Sequence, residues 1–233
     1  MASLRLTDRL LKISHLVTKD KKIADIGTDH GYIPVYLLKK GYVSFAVLSD
    51  VNKGPLDNAR KEVIQNNLLD KVDLRLGSGI EVLKKGEVDE IIIAGMGGIL
   101  ISEILDAKQE VSHNAQKLIL QPMQAQKELR KYLLNNGYEI LDEVLVKEDF
   151  RLYEIIIAKY TGENTVVEDE VYYEVGSKLI ENKDVLLKEF VDRKISSYTS
   201  ILKNIQGKTG YEIEKKKKCI TKSIEKLKCI LGN

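Results

Sequence analysis

The sequence is poor in the residues that build disulfide frameworks and metal sites, with two cysteines and three histidines among 233 residues. Cys219 and Cys229 stand ten positions apart in a lysine-rich segment without a Cys-x-x-Cys pair. These counts argue against a disulfide-stapled scaffold and a cysteine/histidine zinc site, no metal is expected, and the expected compartment is reducing cytoplasm. Long apolar runs are missing too: none approaches the ~18 residues of a spanning helix. The N-terminal MASLRLTDRLLK alternates charge with leucine and lacks the apolar core of a signal peptide, so no membrane partner is expected. Nor is there a strong overall charge, since 37 Lys+Arg against 35 Asp+Glu leave +2. That average conceals a split. Residues 184–233 hold 12 basic against 6 acidic side chains, a net of +6, which leaves 25 against 29, or −4, for residues 1–183. A basic appendage is the expected source of this asymmetry.

What is present is a 43% hydrophobic chain, enough for one large α/β domain or for a domain with a small appendage. Short apolar runs predict strands at 22–27, 45–51, 72–77, 89–95, 117–121, 139–146 and 153–160. Helical spacing predicts helices at 31–40, 54–67, 98–109 and 124–136, the last closed by Asn136-Gly137. Such alternation implies a parallel sheet covered on both faces. The last two strands follow one another without room for a crossover helix, so they pair antiparallel. Five parallel strands with a terminal antiparallel hairpin outline the Rossmann-like α/β fold of class I methyltransferases.

Ahead of the first strand, Leu6, Leu10, Ile13 and Val17 mark a core-covering helix that Thr7 or Asp8 can cap, with Asp8 and Arg9 as polar residues able to reach the mouth of a site. After Tyr160 a polar linker, 161–170, leads to two apolar stripes. Val191, Ile195, Tyr198, Leu202 and Ile205 form one, and Ile220, Ile224, Leu227 and Leu231 the other, separated by a break at Gly207–Gly210. This predicts an antiparallel, coiled-coil-like helical hairpin and a division into domains 1–163 and 164–233. At the start of its second helix, Lys215, Lys216, Lys217 and Lys218 form either a solvated face or a phosphate-contacting patch.

The most informative stretch is ADIGTDHGY, residues 24–32, placed where a strand gives way to a helix. Dinucleotide sites use G-x-G-x-x-G there so that helix-end amides hold an anionic pyrophosphate. Here Asp29 takes the place of the second glycine and Asp25 lies two residues before Gly27. Carboxylates at these points repel a pyrophosphate and suit a cationic ligand such as the methionyl end of S-adenosylmethionine. Gly31 completes the turn. Asp50, followed by Val51, ends the second strand, where a carboxylate accepts ribose hydroxyls in NAD and S-adenosylmethionine enzymes alike. Gly77-Ser78-Gly79 closes the third strand, as a simple turn or as the edge of an adenine pocket. Ala94-Gly95-Met96-Gly97 closes the fourth with backbone and a methionine, and without the polar residue, prolines and aromatic usual where an exocyclic amine is methylated. A ring nitrogen, whose lone pair needs no prior proton removal, is the better-matched acceptor.

Together ADIGTDHGYIPVYLLKKG (24–41), SDVNKGPLDNA (49–59), IAGMGG (93–98), LILQP (118–122), LRKYLLNNGYEI (129–140) and LYEIIIA (152–158) resemble the bacterial TrmK family. The resemblance spans roughly residues 4–160 in order. It implies a class I enzyme that methylates N1 of adenine 22 in the tRNA D-arm with S-adenosylmethionine, and a C-terminal coiled-coil-like domain. By resemblance Asp25, Gly27, Asp29 and Gly31 form the cofactor loop, Asp50 the ribose contact and Ala94–Gly97 the wall beside the methyl. Asp29, His30 and Tyr32 are the polar groups nearest the target base, although His30 also reads as a capping or phosphate-contacting group. Ser78, where the family more often has Asp or Asn, and Met123, where Asn follows LILQP, depart from the pattern. Expected partners are tRNA through Arg9 and Lys215–Lys218, no membrane and no second subunit, the chain acting as a monomer. Two alternatives stand beside this reading: a methyltransferase for another RNA base or a small molecule, and an RNA-binding protein that holds the cofactor without turnover. An NAD enzyme is disfavoured by the missing G-x-G-x-x-G.

Overall fold

The computed structural model describes residues 5–232, so the first four residues of the N-terminal segment and Asn233 lie outside the described residues. The chain divides into two compact units, Met1–Val166 and Val167–Asn233, a boundary three residues beyond the predicted one.

The first unit holds a seven-stranded sheet in the order β3-β2-β1-β4-β5-β7-β6. Its strands are β1 Lys22–Ile26, β2 Phe45–Asp50, β3 Val72–Leu76, β4 Glu90–Gly97, β5 Lys117–Gln124, β6 Tyr138–Glu148 and β7 Arg151–Tyr160. β1 to β5 run parallel, whereas β7 pairs antiparallel with both β5 and β6. The central strands are buried on both faces: Ile91, Ile92 and Ile93 of β4 and Leu118, Ile119 and Leu120 of β5 are all inaccessible. This explains why they read as unbroken apolar runs rather than alternating ones.

The helices are α1 Asp8–Leu16, α2 Tyr32–Lys39, α3 Lys53–Gln65, α4 Gly98–Ala107, the single turn α5 Gln109–Ser112, and α6 Gln126–Asn135. They cover two separate cores. Ile101, Leu105, Leu129 and Leu133 of α4 and α6 pack on one face, and Ile13, Val35, Leu38 and Val63 of α1, α2 and α3 on the other. Thr7 occupies the N-cap position of α1 but makes no capping bond there. Glu148 takes that role instead, accepting from the Arg9 backbone N–H at 2.8 Å and from the Thr7 hydroxyl.

Beneath α6 lies an ion cluster absent from the sequence reading. Arg130, 1% exposed, donates Nε to Glu143 on β6 and a terminal nitrogen to Glu154 on β7, both at 2.7 Å. Glu143 follows Asp142 in β6 and Glu154 precedes the apolar Ile155–Ala158 of β7, and the guanidinium ties helix to hairpin.

The second unit contains α7 Val171–Glu174, α8 Ser177–Glu181, α9 Leu187–Ile205 and α10 Tyr211–Ile230. α9 and α10 form the predicted hairpin across the Gly207–Gly210 break, with Val191 and Leu227 fully buried. Among the described residues no helix is long and apolar enough to cross a membrane.

Candidate functional site

The parallel strands end along one edge of the sheet, and the turn from β1 to α2 forms a cavity of about 360 Å³ there, within the usual range for small-ligand sites. Gly27 (φ 74°) and Gly31 (φ 67°) give the turn its left-handed backbone. At both a Cβ would also crowd a neighbour, standing 2.0 Å from Met96 Cε at Gly27 and 2.7 Å from Leu48 Cδ2 at Gly31, so those side-chain ends would have to shift. The backbone amides of Gly27 and Thr28 both donate to Ser49 O, at 2.8 and 2.9 Å, which fixes the turn to β2.

Asp25 sits at the base of this cavity, 8% exposed. Burial pushes its carboxyl up to about 6, an effect moderated by the Thr28 hydroxyl, which donates to it at 2.7 Å. Thr28, overlooked in the sequence reading, is thus the group that orients Asp25. A side chain that resists ionisation for want of solvent is suited to a cationic ligand, which would restore its charge.

Above it Asp29 is 73% exposed, and its Oδ2 lies 3.4 Å from His30 Nε2. The His30 and Tyr32 rings stack 4.9 Å apart and nearly parallel, at 6°. All three line the cavity, so the structure brings together the predicted acid, imidazole and phenol. Ala94 and Gly95 form the opposite wall. There the β4–β5 register slips between Ala94 and Met96 and Gly95 adopts φ 81°, a bulge of the kind that re-aims backbone beside a site.

The remaining predicted cofactor residues lie on the same sheet edge but outside the cavity lining. Asp50 ends β2 and accepts from Asn52 N at 2.7 Å, while its own carbonyl accepts from Gly77 N at 3.0 Å, so the ends of β2 and β3 are laced together. Val51 is 60% exposed beside it. Ser78 and Gly79 open a short 3₁₀ turn, with Gly79 closely packed on Ile104. Gly97 is the N-cap of α4.

Two predicted RNA contacts are engaged within the chain. Arg9 does line the cavity, yet its guanidinium donates to the buried Gln121 Oε1 at 2.6 Å and lies 5.4 Å from the centroid of the Tyr153 ring. Lys217 turns inward: its Nζ bonds Lys208 O at 2.9 Å and Glu214 at 2.7 Å, closing the α9–α10 turn. Lys215, Lys216 and Lys218 are exposed. Among the described residues no group of three or more His, Cys, Asp or Glu could hold a metal ion.

A five-plus-two sheet with an acid-flanked glycine turn at the carboxyl ends of β1 and β4 defines a Rossmann-like protein of the class I methyltransferase type. Over residues 23–229 the sequence matches the TrmK family, tRNA (adenine(22)-N(1))-methyltransferase. The chain belongs to this family. It is 32% identical over 221 residues to the tRNA (adenine(22)-N(1))-methyltransferase of Bacillus subtilis (strain 168), an alignment covering 93% of this chain and 92% of that protein. The crystal structure of the B. subtilis m1A22 tRNA methyltransferase TrmK superposes with a TM-score of 0.87 at 30% identity, covering 98% of this chain and 99% of that one. M. capricolum TrmK in complex with S-adenosylhomocysteine gives a TM-score of 0.82 at 30% identity, over 97% and 99% of the two chains.

Proposed function

We propose that this protein transfers the methyl group of S-adenosylmethionine to N1 of adenine 22 in tRNA, with the cavity between the β1–α2 turn and β4 as its reaction chamber. The carrying observation is chemical: a glycine turn shaped for a nucleotide ligand holds buried Asp25 and rim Asp29 where a pyrophosphate site would hold amides alone. The donor's methionyl ammonium and sulfonium are the cations such a site accommodates.

When bound, S-adenosylmethionine supplies an electrophilic methyl. Gly27 and Gly31 admit it without a side-chain clash, Asp25 faces its ammonium, Asp50 accepts its ribose hydroxyls, and Ala94–Gly97 wall the methyl. Adenine N1 brings an in-plane lone pair and no proton, so the chain's task is alignment and charge rather than proton removal. The flat His30–Tyr32 stack gives the base a surface. N1 lies on the pairing edge, so the adenine must leave its stack to enter. N1 forms its new bond as the methyl–sulfur bond breaks, the positive charge passes to the ring, and Asp29 stabilises it there. Every residue in these roles comes from one chain's first unit, which supports action as a monomer, and a tRNA substrate supports a cytoplasmic location.

Two measurements check the acids. Since the donor cation favours ionised Asp25, affinity for S-adenosylmethionine should fall as pH drops through about 6, approaching tenfold per pH unit below that point. Calorimetry on Asp25→Asn should show weaker binding and no such slope. For apo stability the sign is opposite: a carboxyl raised from 3.8 to about 6 in the folded chain stabilises most below 3.8, and that contribution is lost as pH rises through 6. Asp29→Asn should slow single-turnover methylation roughly tenfold, or about 1.4 kcal/mol, a modest figure because the group is exposed. Its tRNA affinity should stay within twofold, and an unaltered rate would remove Asp29 from the charge balance. The reaction is tested by incubating labelled donor with bulk tRNA and with an unrelated folded RNA, label in the tRNA alone being the expected result.

A further inference from the structure

We infer that a further cavity between α1 and α2 seats the nucleotide next to adenine 22 on the tRNA strand, with its phosphate on Lys40 and His15; this rests on the reading above. Both helices start at the reaction cavity, which Arg9, Leu10, Tyr32 and Ile33 line. About one turn further along each helix, roughly 6 Å, Ser14 and His15 of α1 and Tyr36 and Leu37 of α2 line another cavity of about 300 Å³, completed by Lys40 and Tyr42. Its size suits one nucleotide, and the shared helices set it beside the place where the target base reacts.

The lining has a floor and a rim. Leu37 is buried, and the Ser14 hydroxyl is spent on Leu11 O at 2.7 Å, so the floor offers apolar surface to a sugar or base. Lys40 and His15 stand exposed at the rim. The Lys40 ammonium is already held: it donates to the Tyr36 phenol oxygen at 2.6 Å and lies 4.4 Å from the centroid of that ring. A cation fixed in advance loses less freedom when an anion binds, and the phenol keeps its own proton for a further bond. Both helices end here, and their carbonyl ends disfavour an anion, so side chains must supply the positive charge. Asp20, whose backbone N–H donates to Tyr42 O at 2.8 Å, is outnumbered at this end by His15, Lys39 and Lys40. The same bias runs through the whole first unit. Residues 1–49 hold 8 basic against 4 acidic side chains, whereas residues 50–166 hold 15 against 20. Positive charge around a cavity next to the target site selects the polyanionic strand already engaged there.

The test uses the full chain and a His15→Gln/Lys40→Gln double variant, with synthetic tRNAs in which one of the four linkages nearest adenine 22 is an uncharged methylphosphonate. Both positions are exposed, and unchanged affinity for S-adenosylmethionine shows an intact fold. The variant should bind all-phosphate tRNA roughly tenfold more weakly, the scale of one charge-assisted hydrogen bond. Its log–log salt slope should be shallower by about 0.7–0.9, the value of one phosphate contact. One of the uncharged linkages should weaken the unaltered chain by a similar factor and leave the variant where it was, since both changes remove the same contact. A variant with the unaltered affinity, or losses that multiply at every linkage, overturns the subsite while leaving the reaction in place. Weaker binding of adenosine monophosphate by the variant, with tRNA affinity unchanged, assigns the cavity to a free nucleotide and overturns the proposal likewise. Methylation of no tRNA by the unaltered chain overturns the reaction itself.

Discussion

Replacing Arg130 by alanine should destabilise the first unit by about 3–5 kcal/mol, because it strands two buried carboxylates. Glu143 and Glu154 have side chains only 2 and 6% exposed, and Arg130 bonds both at 2.7 Å. With the guanidinium gone, both buried glutamates lose their charge-assisted bonds to it. In a domain of this size the loss corresponds to a drop of roughly 10 °C in the melting midpoint. A pH signature distinguishes this cause from lost packing. A buried carboxylate that has lost its guanidinium is costly chiefly while it carries charge. The gap from wild type should therefore narrow on acidification. Replacing all three residues with apolar side chains of similar volume should cost far less, since no ion is left unpaired. Thermal melts at several pH values decide the matter, and a deficit independent of pH would assign the loss to packing.

The second large effect concerns tRNA binding. Converting Lys215, Lys216 and Lys218 to glutamine in the full chain should weaken tRNA binding roughly 100-fold near 0.1 M salt and make the log–log salt slope shallower by about 2–3, at 0.7–0.9 per phosphate contact. All three are exposed on α10. The loss should be the same for different tRNA sequences, because phosphate contacts carry no base information. Lys217→Gln is the internal control: its ammonium is occupied by Lys208 O and Glu214, so it should loosen the α9–α10 turn while moving the salt slope little. A triple variant with the wild-type slope would remove the lysine run from the RNA surface. Affinity for S-adenosylmethionine should not change in any of these proteins.

The contrast among these lysines marks where sequence was legible. Identical residues in a run carry no label of direction, and only the fold reveals that Lys217 faces the turn while its neighbours face solvent. The strands, by contrast, were readable because burial on both faces leaves continuous apolar runs, and the last two because no helix fits between them. Their ends were less so: β6 and β7 extend to Glu148 and from Arg151, beyond the predicted 146 and 153, since a two-residue turn continues the ladder through polar sequence. α6 starts at Gln126 rather than 124 because β5 runs on to Gln124 and Ala125 then takes a left-handed φ of 58°.

At the site, Asp25, Gly27, Asp29 and Gly31 were legible because four residue types at fixed spacing must share one tight turn. Thr28 was overlooked although it sits inside that motif; a hydroxyl three residues after a buried acid is its only signal. Arg9 lines the cavity, but its tie to Gln121 spans 112 positions and leaves no local trace. The Arg130 cluster spans 13 and 24 positions, and Glu143 stands among other charged residues of β6, so nothing local marks it as a buried ion.

The central claim, transfer of a methyl group to N1 of adenine 22, is tested most directly by mass-spectrometric nucleoside analysis. An unmodified tRNA transcript and its adenine-22-to-guanine counterpart are each incubated with the protein and S-adenosylmethionine. The account predicts one equivalent of 1-methyladenosine in the first and none in the second. Methylation of a different nucleoside, or equal 1-methyladenosine in both transcripts, would contradict it.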